Sequence, residues 1–298
     1  MTKAVLGIMG GSGIYDLPGL EDRREEVISS DWGEPSSTLK RGRIGDTELV
    51  FLPRHGEGHR LSPSDINYHA NIDVLKQAGV TDLVSLSACG SFRADLPPGS
   101  VVLVDQFIDR TVGRASSFFG AGCVAHVSMA HPVSPLLSAR LGEAAKAEKI
   151  AVHHGGTYVC MEGPQFSSQA ESLMYRAMGC DVIGMTAMPE AKLAREAEIT
   201  YAILALVTDF DCWHPDHDAV DVASVIAVMH DNVDKARRIV ARLAQDFPKT
   251  RQACPVGSHK ALDHAIMTAP AQRDPALLRR LRHVAGRVLL SLIHISEP

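Results

Sequence analysis

Short apolar runs, each broken by small or polar residues, alternate along this chain with stretches whose apolar positions recur every three to four residues. The runs at 5–9, 49–52, 83–86, 101–104 and 201–206 read as buried strands. The periodic stretches at 67–78, 136–149, 169–178 and 187–198 read as helices. The first stops at Gly79, and the last is opened by Pro189 at an early position where proline is tolerated. Strands alternating with helices predict one α/β domain with a largely parallel sheet. No repeat period and no low-complexity linker interrupts it. Residues 248–270, with Pro248, Pro255, Gly257 and Pro270, read as an irregular excursion before a last helix over 275–288.

Candidate chemistry gathers where strands end. The run at 201–206 leads into Val207-Thr208-Asp209-Phe210-Asp211, and open α/β sheets bind ligands at the carboxyl ends of their strands. Side-chain alternation would aim Asp209 and Asp211 to the same side. Two like charges on one site push at least one pKa upward, leaving a proton donor beside an acceptor. A purine with a 6-amino group complements that pattern, because N7 takes a proton while the amine donates. Asp-x-Asp is also a metal-binding spelling and a common solvated loop, and the pair alone leaves these readings open.

Other junctions offer anion contacts. Gly10-Gly11-Ser12-Gly13 follows a strand and can present backbone N–H groups and a hydroxyl. Counted from Gly11, the sixth position of a dinucleotide fingerprint is Asp16, and no Gly-Lys-Ser/Thr follows, so a plain tight turn is the competing reading. Arg54-His55 supplies a permanent cation and a tunable donor, suited to phosphate or to a surface cap. Ser87 and Thr186 sit at predicted strand ends, where hydroxyls can complete an oxyanion cage. Glu162-Gly163-Pro164-Gln165-Phe166-Ser167 combines a carboxylate for ribose hydroxyls with a ring that can stack on a base, or is a turn around a packed Phe. Among fourteen histidines, His214 and His217 share a polar loop with Asp216 and Asp218, but no third cluster and no His-Glu-x-x-His accompanies them. No G-x-S-x-G elbow supports acyl transfer.

Bulk properties narrow the classes. At 298 residues the chain suffices for one large domain or two small ones, and 45% hydrophobic with 22% charged residues is globular composition. A net charge of −5 and a pI near 6.3 argue against a nucleic-acid surface. No apolar run approaches the roughly 20 residues that span a bilayer. Met1-Thr2-Lys3 leads straight into a strand, and six scattered cysteines form no Cys-x-x-Cys pair, so the expectation is a cytoplasmic protein without signal peptide or membrane partner. Residues 290–298 resemble a translated sequencing adapter and are expected to be non-native.

The segments GIMGGSGIYD, LPRHGEGHRLSPSDINYHANI, SACGSFRADLPPGSVVLVDQFIDRT, EGPQFSSQAES, GMTAMPEAKLAREA and VTDFDCWH resemble the methylthioadenosine phosphorylase branch of the purine nucleoside phosphorylase family. The resemblance implies one α/β domain over residues 1–289, with a mixed central β-sheet flanked by helices. It implies a homotrimer with an active site near each subunit interface, inorganic phosphate as co-substrate and no metal or organic cofactor. Phosphate contacts would be Ser12, Arg54, His55, Ser87, Ala88 and Thr186. Ser12 and Ser87 stand where the family often has Thr, which keeps the hydroxyl and drops a methyl. Met185 would lie under the ribose and Phe166 against the base. His59, Val222 and Val225 would border the 5′-substituent, with His126 supplied by the neighbouring subunit.

The implied reaction is phosphorolysis of S-methyl-5′-thioadenosine to adenine and 5-methylthioribose 1-phosphate. Phosphate attacks C1′ as positive charge develops on the ribose. A protonated Asp209 donates to N7, and Asp211 holds the purine edge and keeps the Asp209 pKa high. Enzymes of the family that take 6-oxopurines place Asn where this chain has Asp209, and a carboxylate facing O6 would cost roughly 1–3 kcal/mol. S-methyl-5′-thioinosine or another purine nucleoside is the alternative substrate. A non-catalytic nucleoside binder is the alternative class, disfavoured because both acids and the phosphate contacts are present.

Overall fold

The computed structural model describes residues 2–11, 13–215 and 222–289. Eleven strands form one sheet: β1 (Val5–Gly10), β2 (Glu21–Glu26), β3 (Leu39–Ile44), β4 (Thr47–Pro53), β5 (Asp82–Ser91), β6 (Val101–Leu103), β7 (Gln106–Arg110), β8 (Val152–His154), β9 (Thr157–Met161), β10 (Val182–Gly184) and β11 (Thr200–Asp209). The helices are α1 (Tyr68–Gln77), α2 (Pro135–Ala147), α3 (Gln169–Ala177), α4 (Ala187–Glu196), α5 (Val222–Gln245), α6 (Pro275–Leu281) and α7 (Gly286–Leu289). The sheet is mixed rather than largely parallel. β1, β4, β5 and β11 run parallel through the centre, whereas β2, β3 and β4 form an antiparallel meander, β10 runs antiparallel to β5 and β6 antiparallel to β11. Charged β2 sits at the sheet edge with its side chains exposed, where charge discourages further pairing. Its lack of apolar alternation hid it from the sequence pattern.

β5 is the strand that creates the functional end. One of its edges pairs with β11 along nearly its whole length. The other edge pairs with β1 only at Asp82–Ser85 and with β10 only at Gly90 and Ser91. Residues 86–89 are left without a strand on that side, and there the sheet opens. The sequence reading stopped this strand at Leu86. It continues through Ser87-Ala88-Cys89-Gly90-Ser91, so Ser87 lies mid-strand and reaches the site because a partner is missing, not because the strand has ended.

The central strands are buried on both faces, consistent with helices packed over each. α5 carries an unbroken apolar stripe at helical spacing; Ile239, Val240 and Leu243 on it are buried in the core. The expected helix over 275–288 divides into α6 and α7. A continuous helix would place Gly286 in its interior, which is unfavourable, and the intervening Arg282 reaches out to Asp31. In α4, Met188 is extended at φ −118° and ψ 134°, so regular helical geometry follows Pro189.

The α1 N-terminus fixes the segment before β3. Asn67 caps the helix through Ala70 N–H at 3.0 Å and donates to the Trp32 carbonyl at 2.9 Å. Fully buried Asn71 accepts from Ser36 N–H at 2.8 Å and donates to Ser36 Oγ at 2.9 Å. Ser36 in turn offers its carbonyl to Arg60, beside the loop that carries His55 and His59. Asn71→Ala is expected to lower folding stability by about 1–3 kcal/mol, because the Ser36 groups stay buried without partners. The urea-unfolding midpoint measures this, with the slope unchanged.

Candidate active site

A cavity of about 870 Å³ opens where β5 lacks its neighbour. Its walls come from the ends of β1, β4, β10 and β11, from the loop after β9 and from α5. Of the residues singled out from sequence, Arg54, His55, His59, Ser87, Ala88, Phe166, Met185, Thr186, Asp209, Asp211, Val222 and Val225 all line it. Ser12 lies outside the described residues, as do Asp216, His217, Asp218 and the tail 290–298; the adjoining Gly11 and Gly13 line the cavity. His126 is exposed and lies apart from the cavity of its own chain.

At the inner end, Arg54 is 2% exposed and closes the opened edge of the sheet. Its Nη1 donates to the Leu86 carbonyl at 3.1 Å and its Nη2 to Ser85 Oγ at 2.7 Å. Glu190 on α4, fully buried, accepts from Nε at 2.6 Å and from Nη2 at 3.0 Å. Tyr201 on β11 donates to the same carboxylate at 3.0 Å. Burial opposes the arginine charge, but the Glu190 carboxylate outweighs it and holds the guanidinium above its ordinary pKa. Arg54 is the permanent cation expected, and the structure makes it half of a buried ion pair on the cavity wall with one Nη1 proton left over.

His55 also differs from the tunable donor expected. Its Nδ1 lies 2.9 Å from the Leu61 carbonyl, which can only accept, so the ring proton sits on Nδ1. Burial first, and then the charge of Arg54, push its pKa down to about 4. The ring is therefore neutral near pH 7, and Nε2 is an acceptor. His59 stacks on it with centroids 4.1 Å apart and planes 14° from parallel. Thr186 N-caps α4 without its side chain accepting a capping hydrogen bond from the helix, leaving its hydroxyl available. Ser87 Oγ lies 3.1 Å from the Ala88 carbonyl and 2.9 Å from the Tyr158 hydroxyl.

At the far end of β5 the two acids meet, though not by strand alternation. The register of β11 shifts between Val207 and Asp209, and Asp211 lies beyond the strand at φ 53°, a left-handed conformation that Asp tolerates. That turn brings the Asp211 N–H to Asp209 Oδ1 at 2.8 Å, while Thr208 donates to Asp209 Oδ2 at 2.7 Å. Burial raises the Asp211 carboxyl above the usual carboxylate range; nearby Ser172 opposes the rise and the Asp209 charge adds to it. The sequence pattern predicts a raised pKa for at least one acid of the pair, and Asp211, which is buried, has one.

Between these ends, Phe166 is 45% exposed over the cavity. Gly163, at φ 69°, lies so close to Met185 that a Cβ there would come within 2.5 Å of the methionine sulfur. Glu162 does not line the cavity and is not free for a ribose. Its carboxylate accepts from Val112 N–H at 2.6 Å and from Ser64, and pairs with Arg114 at 3.5 Å. Arg114 is the organiser the sequence did not reveal. It donates to the carbonyls of Met185 and Glu162 at 2.6 Å each and of Met188 at 2.7 Å. Glu190 was also missed, although an acid just inside an apolar helix start, Met-Pro-Glu-Ala, signals a buried partner. On α5, Val222, Val225, Ile226, Met229 and Val233 continue the stripe of the core out along the cavity.

Among the described residues no three His, Cys, Asp or Glu side chains converge as metal ligands, and no helix is long and apolar enough to cross a membrane. All six cysteines are unpaired. A mixed α/β sheet that opens onto hydroxyls and a cation at one end and paired acids at the other defines an enzyme-like site for an anion and a polar ring. The chain belongs to the phosphorylase superfamily, whose family model matches residues 5–245. It is 70% identical over 289 residues to the S-methyl-5′-thioadenosine phosphorylase of Bradyrhizobium diazoefficiens, covering 97% of this chain and 99% of that one. It is 58% identical to the enzyme of the same name from Cereibacter sphaeroides, covering 96% and 99%. Among solved structures it is similar to a methylthioadenosine phosphorylase from an antarctic soil metagenomic library, with TM-score 0.87, 45% identity and coverage of 95% and 99%. A Schistosoma mansoni adenosine/methylthioadenosine phosphorylase variant in complex with methylthioadenosine superposes with TM-score 0.75 at 38% identity, covering 81% and 91%.

Two outcomes follow from the inner end. Glu190→Ala leaves a guanidinium buried without its counter-charge and is expected to cost about 3–5 kcal/mol of stability, read from urea unfolding. The folded pKa of His55 lies below its unfolded value of 6.5. Between pH 6.5 and 4 the unfolded chain therefore binds a proton that the folded chain does not, and stability falls as pH drops through that window. From pH 7 to pH 5 this amounts to about 2 kcal/mol. His55→Asn is expected to remove that part of the acid sensitivity in paired unfolding curves.

Proposed function

We propose that this chain catalyses the phosphorolysis of S-methyl-5′-thioadenosine, yielding adenine and 5-methylthioribose 1-phosphate. The observation that carries the reading is the continuation of the apolar α5 stripe into the cavity, where Val222, Val225, Ile226, Met229 and Val233 face no protein core. A ribose with a polar 5′-hydroxyl would leave that wall poorly matched, whereas a methylthio group suits it. The relatives named above carry this activity in their names, and family membership supports a pentosyl transfer to phosphate.

In the mechanism, phosphate sits at the inner end. The remaining Arg54 proton and the hydroxyls of Ser87 and Thr186 donate to it, with Ser12 and the Ala88 backbone as further contacts. His55 Nε2 accepts from the phosphate hydroxyl, a role set by its neutral ring. The anion is held below C1′ and stabilises the positive charge that develops on the ribose as the C–N bond opens. Met185 lies under the ribose and Phe166 against the base. Asp209 carries a proton and delivers it to N7 so that adenine leaves neutral, with Asp211 beside it. Asp211 then keeps the purine edge in register. No step in this scheme calls for a metal or organic cofactor.

A homotrimer in the cytoplasm belongs to the same proposal. His126, exposed on its own chain, would enter the 5′ end of a neighbour's cavity beside His59. Sedimentation at micromolar concentration tests the trimer.

The test of the reaction is base release from methylthioadenosine, methylthioinosine, adenosine and inosine, each with and without phosphate. Phosphate-dependent adenine release, fastest with methylthioadenosine, is expected. Hypoxanthine released fastest from methylthioinosine would overturn the substrate. Asp209→Asn is expected to lower kcat/KM on methylthioadenosine by about 10²–10⁴-fold. Near-normal turnover in that variant would remove Asp209 as the proton donor.

A further inference from the structure

Tyr158, on β9, carries no role in the scheme above, yet it is fully buried and its hydroxyl reaches Ser87 Oγ at 2.9 Å. Ser87 has one proton, and its geometry directs that proton to the Ala88 carbonyl at 3.1 Å. The phenol is therefore the donor to Ser87 Oγ. The approach depends on an absent side chain. A Cβ at Gly184 would fall on the Tyr158 hydroxyl, so only glycine at the end of β10 lets the phenol stand behind Ser87. Gly184 and Ser87 both line the cavity and Tyr158 does not, which makes Tyr158 a support placed behind the wall.

We propose that Tyr158 is a positioning residue for the anion: its hydroxyl holds the Ser87 oxygen from behind, so that the Ser87 proton turns from the Ala88 carbonyl to an incoming phosphate oxygen. The chain of donors then runs Tyr158 to Ser87 to phosphate, and each bond polarises the next. Burial holds the Tyr158 phenol well above its ordinary pKa, so it stays a donor throughout the working range of pH. A role in packing alone is the competing account, since the ring also meets Phe107 edge-on with centroids 5.9 Å apart. Packing predicts a change in stability and none in phosphate use.

This proposal rests on the phosphorylase reading, and the experiment separates the two. Steady-state kinetics are measured with phosphate and methylthioadenosine varied in turn for wild type, Y158F, S87A and the double variant. In Y158F the KM for phosphate is expected to rise about 3- to 10-fold, the loss typical of one hydrogen bond, while the KM for the nucleoside stays within about twofold. S87A is expected to raise the phosphate KM as well, and adding Y158F to it is expected to change nothing further, because Tyr158 acts only through Ser87. An unchanged phosphate KM in Y158F beside a phosphate-dependent wild type would overturn the role of Tyr158 alone. Additive effects of the two substitutions would also overturn it. A wild type that releases base without phosphate would overturn the phosphorylase reading, and this proposal with it.

Discussion

The site depends on the four residues of β5 that have a strand on one side only. A sheet interior satisfies its backbone by pairing, and an unpaired edge inside a protein must find other partners. Here Arg54 donates to the Leu86 carbonyl at 3.1 Å, which brings a cation to one end of the gap. At the other end the Asp211 N–H turns back to Asp209 Oδ1 at 2.8 Å and holds the acid-bearing turn. Closing the edge at Leu86 and furnishing the anion end of the site are thus the same contact. The ion pair between Arg54 and Glu190 belongs to this logic. A guanidinium that deep is costly without a counter-charge, and Glu190 neutralises it while leaving one Nη1 proton over.

Along the gap the chemistry is graded. Hydroxyls and a neutral imidazole occupy the arginine end, where the Tyr158 hydroxyl backs Ser87. Paired carboxylates occupy the other end, where burial raises the pKa of Asp211. α5 supplies the third wall by running its core stripe past the core. One helix face therefore serves two purposes: its C-terminal half packs the domain and its N-terminal half offers an apolar surface to the substrate. Arg114 ties together the loop after β9, the end of β10 and the start of α4 through three carbonyls, so the cavity-lining Met185 sits on a braced backbone.

Much of this was legible in the chain. The buried strands announced themselves as apolar runs, and most site residues named from sequence fall around one cavity where they are described; Glu162, His126 and His214 do not. What escaped has physical reasons. Charged β2 and the three-residue strands β8 and β10 are too polar or too short to show a period. The long α5 went unremarked because its stripe lies beyond the acid-bearing loop, away from the motifs. Asp209 and Asp211 converge through a register shift and a left-handed turn, which no alternation rule supplies. The raised pKa of Asp211, the tautomer of His55 and the pairing of Arg54 with Glu190, 136 positions apart, arise from burial and tertiary contact, which residue type alone does not encode.

The most direct measurement is a crystal structure with phosphate and a methylthioadenosine analogue whose glycosidic bond cannot break. The account predicts the anion within hydrogen-bond distance of Arg54 Nη1, His55 Nε2, Ser87 Oγ and the Thr186 hydroxyl. It predicts the purine N7 at Asp209 and the methylthio group against Val222 and Val225. An anion bound away from the open edge of β5, or a purine turned from the acid pair, would contradict it.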